Sequence, residues 1–303
     1  MNSMTHPMPT TISQYLDQLR AALAGADPAL VQDALYDAEE YLRSEMAEQP
    51  GRSEAEVIAS VAGSYGAPDE VADIYRDTEA KVQTALRAPP PPPRRSPLAR
   101  FFGVIAEPRT YAALFYMLLA LATGIFYFTW VVTGASLSAG LAVLIIGVPF
   151  VILFFGSVRV LSLVEGRLVE TMLGERMPRR PLYSTRGRPL LERIKDMFTD
   201  PRTWSTMLYM LLMLPLGIAY FTVAVTGLAT SLSLIVMPLA AAVGVGGLSW
   251  DGVNMNWHTP WFWPLWVLGG VVLLFVTLHV ARFVGHWHGQ LAKHLLVKNA
   301  QYA

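Results

Sequence analysis

The sequence predicts an all-α protein in two parts, an N-terminal four-helix bundle and a polytopic membrane domain of four transmembrane helices built as two tandem two-helix repeats. Three observations carry this. Only 15% of the 303 residues are charged and 53% are hydrophobic, whereas a soluble domain carries charge on about a quarter of its residues; part of the chain therefore has lipid as its solvent. The zero net charge divides into opposed halves, because residues 1–88 hold 15 acids against 6 bases and residues 89–303 hold the remaining 8 acids against 17 bases. Between the halves runs Pro89 to Pro93, an unbroken proline tract that ends any helix and forms a stiff extended spacer. The expected domains are thus residues 1–88, a linker at 89–97 and a membrane domain at 98–303.

The acidic half reads as four helices. The first thirty residues lack the basic start and continuous apolar core of a secretory signal. Instead, Ile12, Tyr15, Leu16, Leu19 and Leu23 recur at helical spacing up to Gly25, and Asp27-Pro28 supplies an N-cap followed by proline at the first helical position. A second helix buries Leu30, Val31, Ala34, Leu35, Tyr41, Leu42 and Met46 and stops before Pro50-Gly51. Ser53 and Glu56 form a capping box for a third helix through Val57, Ile58 and Val61. Pro68 opens a fourth, with Val71, Ile74 and Tyr75 turned inward. The carboxylates of this half form a solvated face or a docking surface for a basic partner.

Three stretches here resemble the HAAS signalling domain, a helical cytoplasmic module: Tyr15 to Leu19, Asp37 to Leu42, and above all Tyr65-Gly66-Ala67-Pro68-Asp69-Glu70-Val71-Ala72. The resemblance covers roughly residues 12–85. It implies a signalling or adaptor role with a cytoplasmic regulatory protein as partner, such as a PadR-like transcription regulator, and it supplies no catalytic residues.

In the basic half, Tyr111–Thr133 and Ala135–Val158 are uncharged runs long enough to cross a hydrocarbon core of about 30 Å. A third run, Thr203–Trp250, is too long for one crossing, and a fourth ends at Ala281. The crossings are placed at about 111–134, 137–160, 204–228 and 264–283, with a turn at Gly134-Ala135-Ser136 and an extracytoplasmic insertion at about 240–263. Whether residues 229–250 add a further membrane helix stays open. Pro149, Pro215 and Pro238 are expected to kink the spans.

An internal repeat organises these runs. A shift of 93 residues aligns Pro108–Gly134 with Pro201–Gly227, including Tyr116 on Tyr209, Gly124 on Gly217 and Tyr127 on Tyr220. Beyond the second copy's insertion the shift becomes 123, with Arg159 on Arg282 and Gly166 on Gly289. The joint between copies carries Arg176, Arg179, Arg180, Arg186, Arg188, Arg193 and Lys195. By the positive-inside rule this joint and both termini face the cytoplasm of a bacterial inner membrane, and the copies share one topology. The same bases contact anionic lipid or hold the acidic bundle, an attraction that salt would screen.

The Asp200-Pro201-Arg202-Thr203-Trp204 start, Leu208–Leu212 running into Pro215-Leu216-Gly217, and Glu165–Glu170 leading to Leu173-Gly174 resemble a bacterial sensor domain family, over about residues 98–297. The resemblance implies a sensing role. Members commonly precede a histidine-kinase core, for which this sequence leaves no room after the fourth crossing, so the output is expected to pass through the N-terminal module or a separate partner.

The candidate ligand-sensing residues are Trp250, Asp251, Trp257, His258, Trp261 and Trp263 in the insertion, an outward aromatic cluster that either binds an amphiphile or cationic ligand or anchors the loop at the headgroups. His279, His286, His288 and His294 read as interfacial, with a proton-sensing role for His279 as the alternative, and Arg159 and Arg282 as headgroup anchors. The chain has no cysteine and no Walker A loop, dinucleotide fingerprint, HExxH or GxSxG element. No enzyme activity, cofactor, metal or direct nucleic-acid binding is expected. The expected function is a membrane sensor relaying an envelope or membrane stimulus to a partner, with the lipid bilayer as its other contact and homo-oligomerisation left open; the alternative is a small transporter or permease-associated subunit.

Overall fold

The computed structural model describes residues 8–86, 101–141, 147–179, 198–243, 261 and 263–297. Among these residues there are helices and no strands. The polyproline linker lies outside them.

The N-terminal bundle comprises α1 (Ile12–Ala22), α2 (Pro28–Glu48), α3 (Glu54–Ser64) and α4 (Pro68–Leu86). Each start has its own chemical cause. Thr11 accepts from the Gln14 amide, Asp27 accepts from the Ala29 amide ahead of Pro28, and Ser53 and Glu56 close a reciprocal capping box. Before α4 the chain turns through Gly66 at φ +110°, and the Glu70 side chain accepts from the Ala67 amide. The Tyr15 hydroxyl, from the centre of the core, donates to the Gly66 carbonyl at 2.8 Å and so ties α1 to this turn. Leu19, Leu23, Ala34, Leu42 and Ile58 complete the buried interior. Ile74 is the exception to the expected core: Val71, Ala72 and Tyr75 point inward, which places Ile74 on the opposite flank of α4, where it is exposed.

After a single 3₁₀ turn (Gly103–Ala106) come four long apolar helices, α5 (Pro108–Leu141), α6 (Gly147–Leu173), α7 (Pro201–Ala242) and α8 (Trp263–Leu296). All four are long and apolar enough to cross a membrane. They differ from the expected crossings in length. The turn expected at Gly134-Ala135-Ser136 is helix, since α5 continues to Leu141. Gly134 is small for packing rather than for turning: a Cβ there would meet the Phe154 ring at 2.1 Å. Residues 229–242 likewise form no separate helix but prolong α7 to 42 residues, about 63 Å at the helical rise. Pro149 falls in the first turn of α6, where it displaces no intrahelical hydrogen bond, whereas Pro215 and Pro238 lie inside α7.

The two copies meet in reciprocal pairs. At the crossing of α5 with α7, a Cβ on Gly124 would sit 2.4 Å from the Met213 carbonyl oxygen, and one on Gly217 would sit 2.3 Å from the Ala120 carbonyl oxygen. Gly134 against Phe154 is matched by Gly227 against Thr277. Arg159 reaches Asp200 at 3.3 Å, and its counterpart Arg282 reaches Glu107 at 2.7 Å, so each return helix is pinned to the start of the other copy. These arginines, expected as headgroup anchors, are thus ion-paired within the protein. Contacts between small residues suit a lipid environment, where association rests on close packing.

The crossing gives a first prediction. Gly217→Val drives side-chain atoms into backbone and should abolish monodisperse, detergent-solubilised protein. Gly140→Val, at a position with nothing within 4 Å of an added Cβ, should leave the elution profile and thermal midpoint unchanged.

Candidate functional site

The bundle sits on one end of the membrane helices through its second and fourth helices. Just after α6, Gly174 at φ +75° turns the chain, and the Arg176 guanidinium enters a nest of acids. Its Nε donates to Glu79 at 3.1 Å, Nη2 to Asp33 at 3.1 Å, and Nη1 to Glu170 and to the Met177 carbonyl, both at 3.1 Å. The side chains of Arg176, Asp33, Glu79 and Glu170 are all less than a tenth exposed. Burial opposes the charge on Arg176, but Glu79, Asp33 and Glu170 more than offset it and hold the guanidinium above its ordinary pKa. Glu170 also accepts from Arg167 and Arg179, so three bases meet three acids.

Weaker contacts surround this centre. The Arg179 amide donates to Asp33 at 2.7 Å, Arg202 to Gln32 at 2.9 Å, and Lys293 pairs with Asp27, the N-cap of α2. Ala29 is buried within the apolar cluster of the membrane domain, in company with Met177 and Val297.

Further into the membrane helices lies a second polar group, absent from the sequence-based candidates. Glu165 on α6 and His288 on α8 are buried at the centre, flanked by Tyr116 and Tyr127 of α5 and Tyr209 and Tyr220 of α7. Tyr116 and Tyr209 each donate to Glu165 Oε1, at 2.6 and 2.9 Å, and Tyr127 donates to Oε2 at 3.0 Å. The same Tyr116 and Tyr209 oxygens lie 2.7 and 2.9 Å from His288 Nε2, and Tyr220 lies 3.2 Å from Nδ1. One placement of protons satisfies every group: three phenols donate to the carboxylate, Nε2–H is shared between two phenol oxygens, and Tyr220 donates to Nδ1. Leaving any member unpaired in an apolar interior costs about 1–3 kcal/mol.

The repeat held the signal for this cluster. The shift of 93 pairs Tyr116 with Tyr209 and Tyr127 with Tyr220, and the shift of 123 pairs Glu165 with His288. His288, expected at the interface, is fully buried, whereas His286 is exposed; His279 lies stacked on Phe101 at 5.2 Å.

Trp261 is 89% exposed and Trp263 begins α8; Trp250, Asp251, Trp257 and His258 lie outside the described residues, as do Arg180, Arg186, Arg188, Arg193 and Lys195. Among the described residues no three His, Asp or Glu side chains converge as a metal site.

A family model described as "Putative sensor" matches residues 116–296, well over half of the chain, and holds all six members of the buried cluster. The chain belongs to this Sensor family. A HAAS model matches residues 14–74, ahead of it in the sequence. No curated protein and no solved structure matches the chain. A Sensor domain preceded by a HAAS domain points to a membrane sensor or signalling protein, and neither family is enzymatic.

The cluster predicts strong non-additivity. In a double-mutant cycle of Glu165→Gln and His288→Gln, unfolding of the solubilised protein should show a coupling energy of about 1–3 kcal/mol, since both side chains share the Tyr116 and Tyr209 hydroxyls. Additive losses would show that the two residues act separately.

Proposed function

We propose that this Sensor-family protein is a bacterial inner-membrane signalling protein with cytoplasmic termini. Its membrane domain senses an envelope or membrane stimulus and passes it to the HAAS bundle, which binds a cytoplasmic regulatory protein such as a PadR-like transcription regulator. The observation that carries this reading is the Arg176 centre. It is the place where one buried side chain is shared between the membrane domain, through Glu170, and the bundle, through Asp33 and Glu79.

In the relay, a stimulus that moves α6 or the segment after it must break or carry along these ion pairs. Removing one partner from a buried set is strongly unfavourable, about 3–5 kcal/mol, so the bundle follows the membrane domain as a body or is released from it. Either outcome changes which bundle surfaces a partner meets. Burial also alters the expected salt response. Screening acts on exposed charges, so salt should leave in place both the Arg176 centre and the largely buried Lys293–Asp27 pair. Against a transporter, the middle of the four helices is filled by Tyr116, Tyr209, Glu165 and His288, all 1% exposed or less.

Capture from native membranes tests the relay. Full-length protein with Arg176→Gln should change the recovery of a cytoplasmic regulator several-fold relative to the unsubstituted chain, with both proteins inserted equally. Equal recovery, together with solute flux in liposomes, would favour the transporter. For orientation, an Asn254→Cys variant of this cysteine-free chain should label from outside in intact cells; labelling only after lysis would reverse the topology.

A further inference from the structure

Each copy of the repeat builds the same kind of niche where its return helix meets the start of the other copy's first helix. In one it is narrow, a space of about 30 Å³ beside Arg159, Asp200 and Arg202. In the other it is an open cavity of about 790 Å³ beside Arg282, Glu107 and Arg109, the residues equivalent to those three. Two near-identical frameworks thus give one narrow and one wide site, so the width is not a by-product of the repeat. In the narrow niche Arg202 also donates to Gln32 of the bundle. In the wide one Arg109 lies across Gly174, where an added Cβ would meet its guanidinium carbon at 3.2 Å.

The lining has a definite chemistry. Arg109 and Arg282 supply two guanidinium groups, and Glu107 and Glu175 supply two carboxylates, with Arg282 bonded to Glu107 at 2.7 Å and His286 3.6 Å from Glu175. Both signs of charge are therefore available within one cavity, and Phe283, which is 69% exposed, continues its wall outward as an apolar surface. A volume of this size suits a small organic molecule. Guanidinium pairs favour phosphate oxygens, and the carboxylates favour an ammonium group. A polar cavity beside basic side chains at the end of membrane helices is suited to a lipid headgroup.

From this we infer that the cavity is a binding site for one zwitterionic phospholipid, its phosphate held by Arg109 and Arg282, its ammonium group by Glu107 and Glu175, and its acyl chains lying along Phe283. Glu175 immediately precedes Arg176, so the occupied site adjoins the bundle contact. The inference stands apart from the signalling proposal, because binding is read without any output.

Native mass spectrometry of the full chain in micelles doped with phosphatidylethanolamine or phosphatidylglycerol tests it. One phosphatidylethanolamine per chain should be retained in preference to phosphatidylglycerol. Arg282→Gln should weaken that retention about tenfold, or about 1.4 kcal/mol, and Arg159→Gln, in the narrow niche, should not. Glu175→Gln should reduce the preference between the two lipids, and it carries the comparison if Arg282→Gln lowers the thermal midpoint. Equal retention of both lipids, or equal losses from Arg159→Gln and Arg282→Gln, would overturn the assignment. Displacement of the lipid by an equimolar amount of free phosphoethanolamine would overturn the lipid as the source of the headgroup.

Discussion

A phenol, an imidazole or a carboxyl placed among apolar helices has no water to fall back on, and must find every hydrogen-bond partner within the protein. That constraint governs the membrane half. Glu165 and His288 stand on different helices, and their partners, Tyr116, Tyr127, Tyr209 and Tyr220, stand on the other two. No two of the four helices can be separated without opening part of this network. Apolar packing in lipid gives little preference for one arrangement over another, whereas a network of fixed donors and acceptors has one satisfied state. The close crossing at Gly124 and Gly217 then follows, because side chains of tyrosine length reach a shared centre only if the helices that carry them approach closely.

Duplication made the network soluble as chemistry. Two identical copies would present two carboxylates or two imidazoles to the same tyrosines. Two carboxylates sharing a site cannot both ionise readily, and two imidazoles would lack an acceptor for all the phenol protons. With Glu165 in one copy and His288 at the equivalent place in the other, the carboxylate accepts while the ring both donates and accepts. The tyrosines, unchanged between copies, serve either partner because a hydroxyl can do both. The copies diverged where the pairing required a difference and stayed alike where the scaffold required symmetry, at Gly124 and Gly217 and at Arg159 and Arg282.

Much of this fold was legible in the residues themselves. Local chemistry marked the bundle: Asp27 before Pro28, the Ser53 and Glu56 box and the Gly66 turn are short-range devices, and each acts where its sequence stands. The four apolar runs declared themselves by length. Their ends did not, because an uncharged stretch such as Gly134–Leu141 has neither a proline nor a charge to stop a helix. Glu165 and His288 were harder still. Each looks ordinary in its own helix, and the cluster appears only when both repeat registers are laid over one another. The partners of Arg176 were hidden for a different reason, since Asp33 and Glu79 are two acids among fifteen in residues 1–88, and only the seating of the bundle distinguishes them.

The two polar centres are joined by geometry. Along α6, Glu165 faces the tyrosines and Glu170, five residues on, meets Arg176. Along α8, His288 faces the same tyrosines and Lys293, again five residues on, meets Asp27. The spacing is the same because 170 and 293 are equivalent positions of the repeat, and five residues of helix span about 7.5 Å. A helix segment of that length transmits rotation and translation without bending, so neither return helix can shift its cluster residue and leave its bundle contact behind. The bundle therefore contacts both return helices at once, at Asp27 through Lys293 and at Asp33 through Arg176 and Glu170. In the relay proposed above, coupling of this kind would need only rigid helices and a second, opened arrangement of the network, and the seating of the bundle would then report on whether the tyrosine-centred cluster is closed.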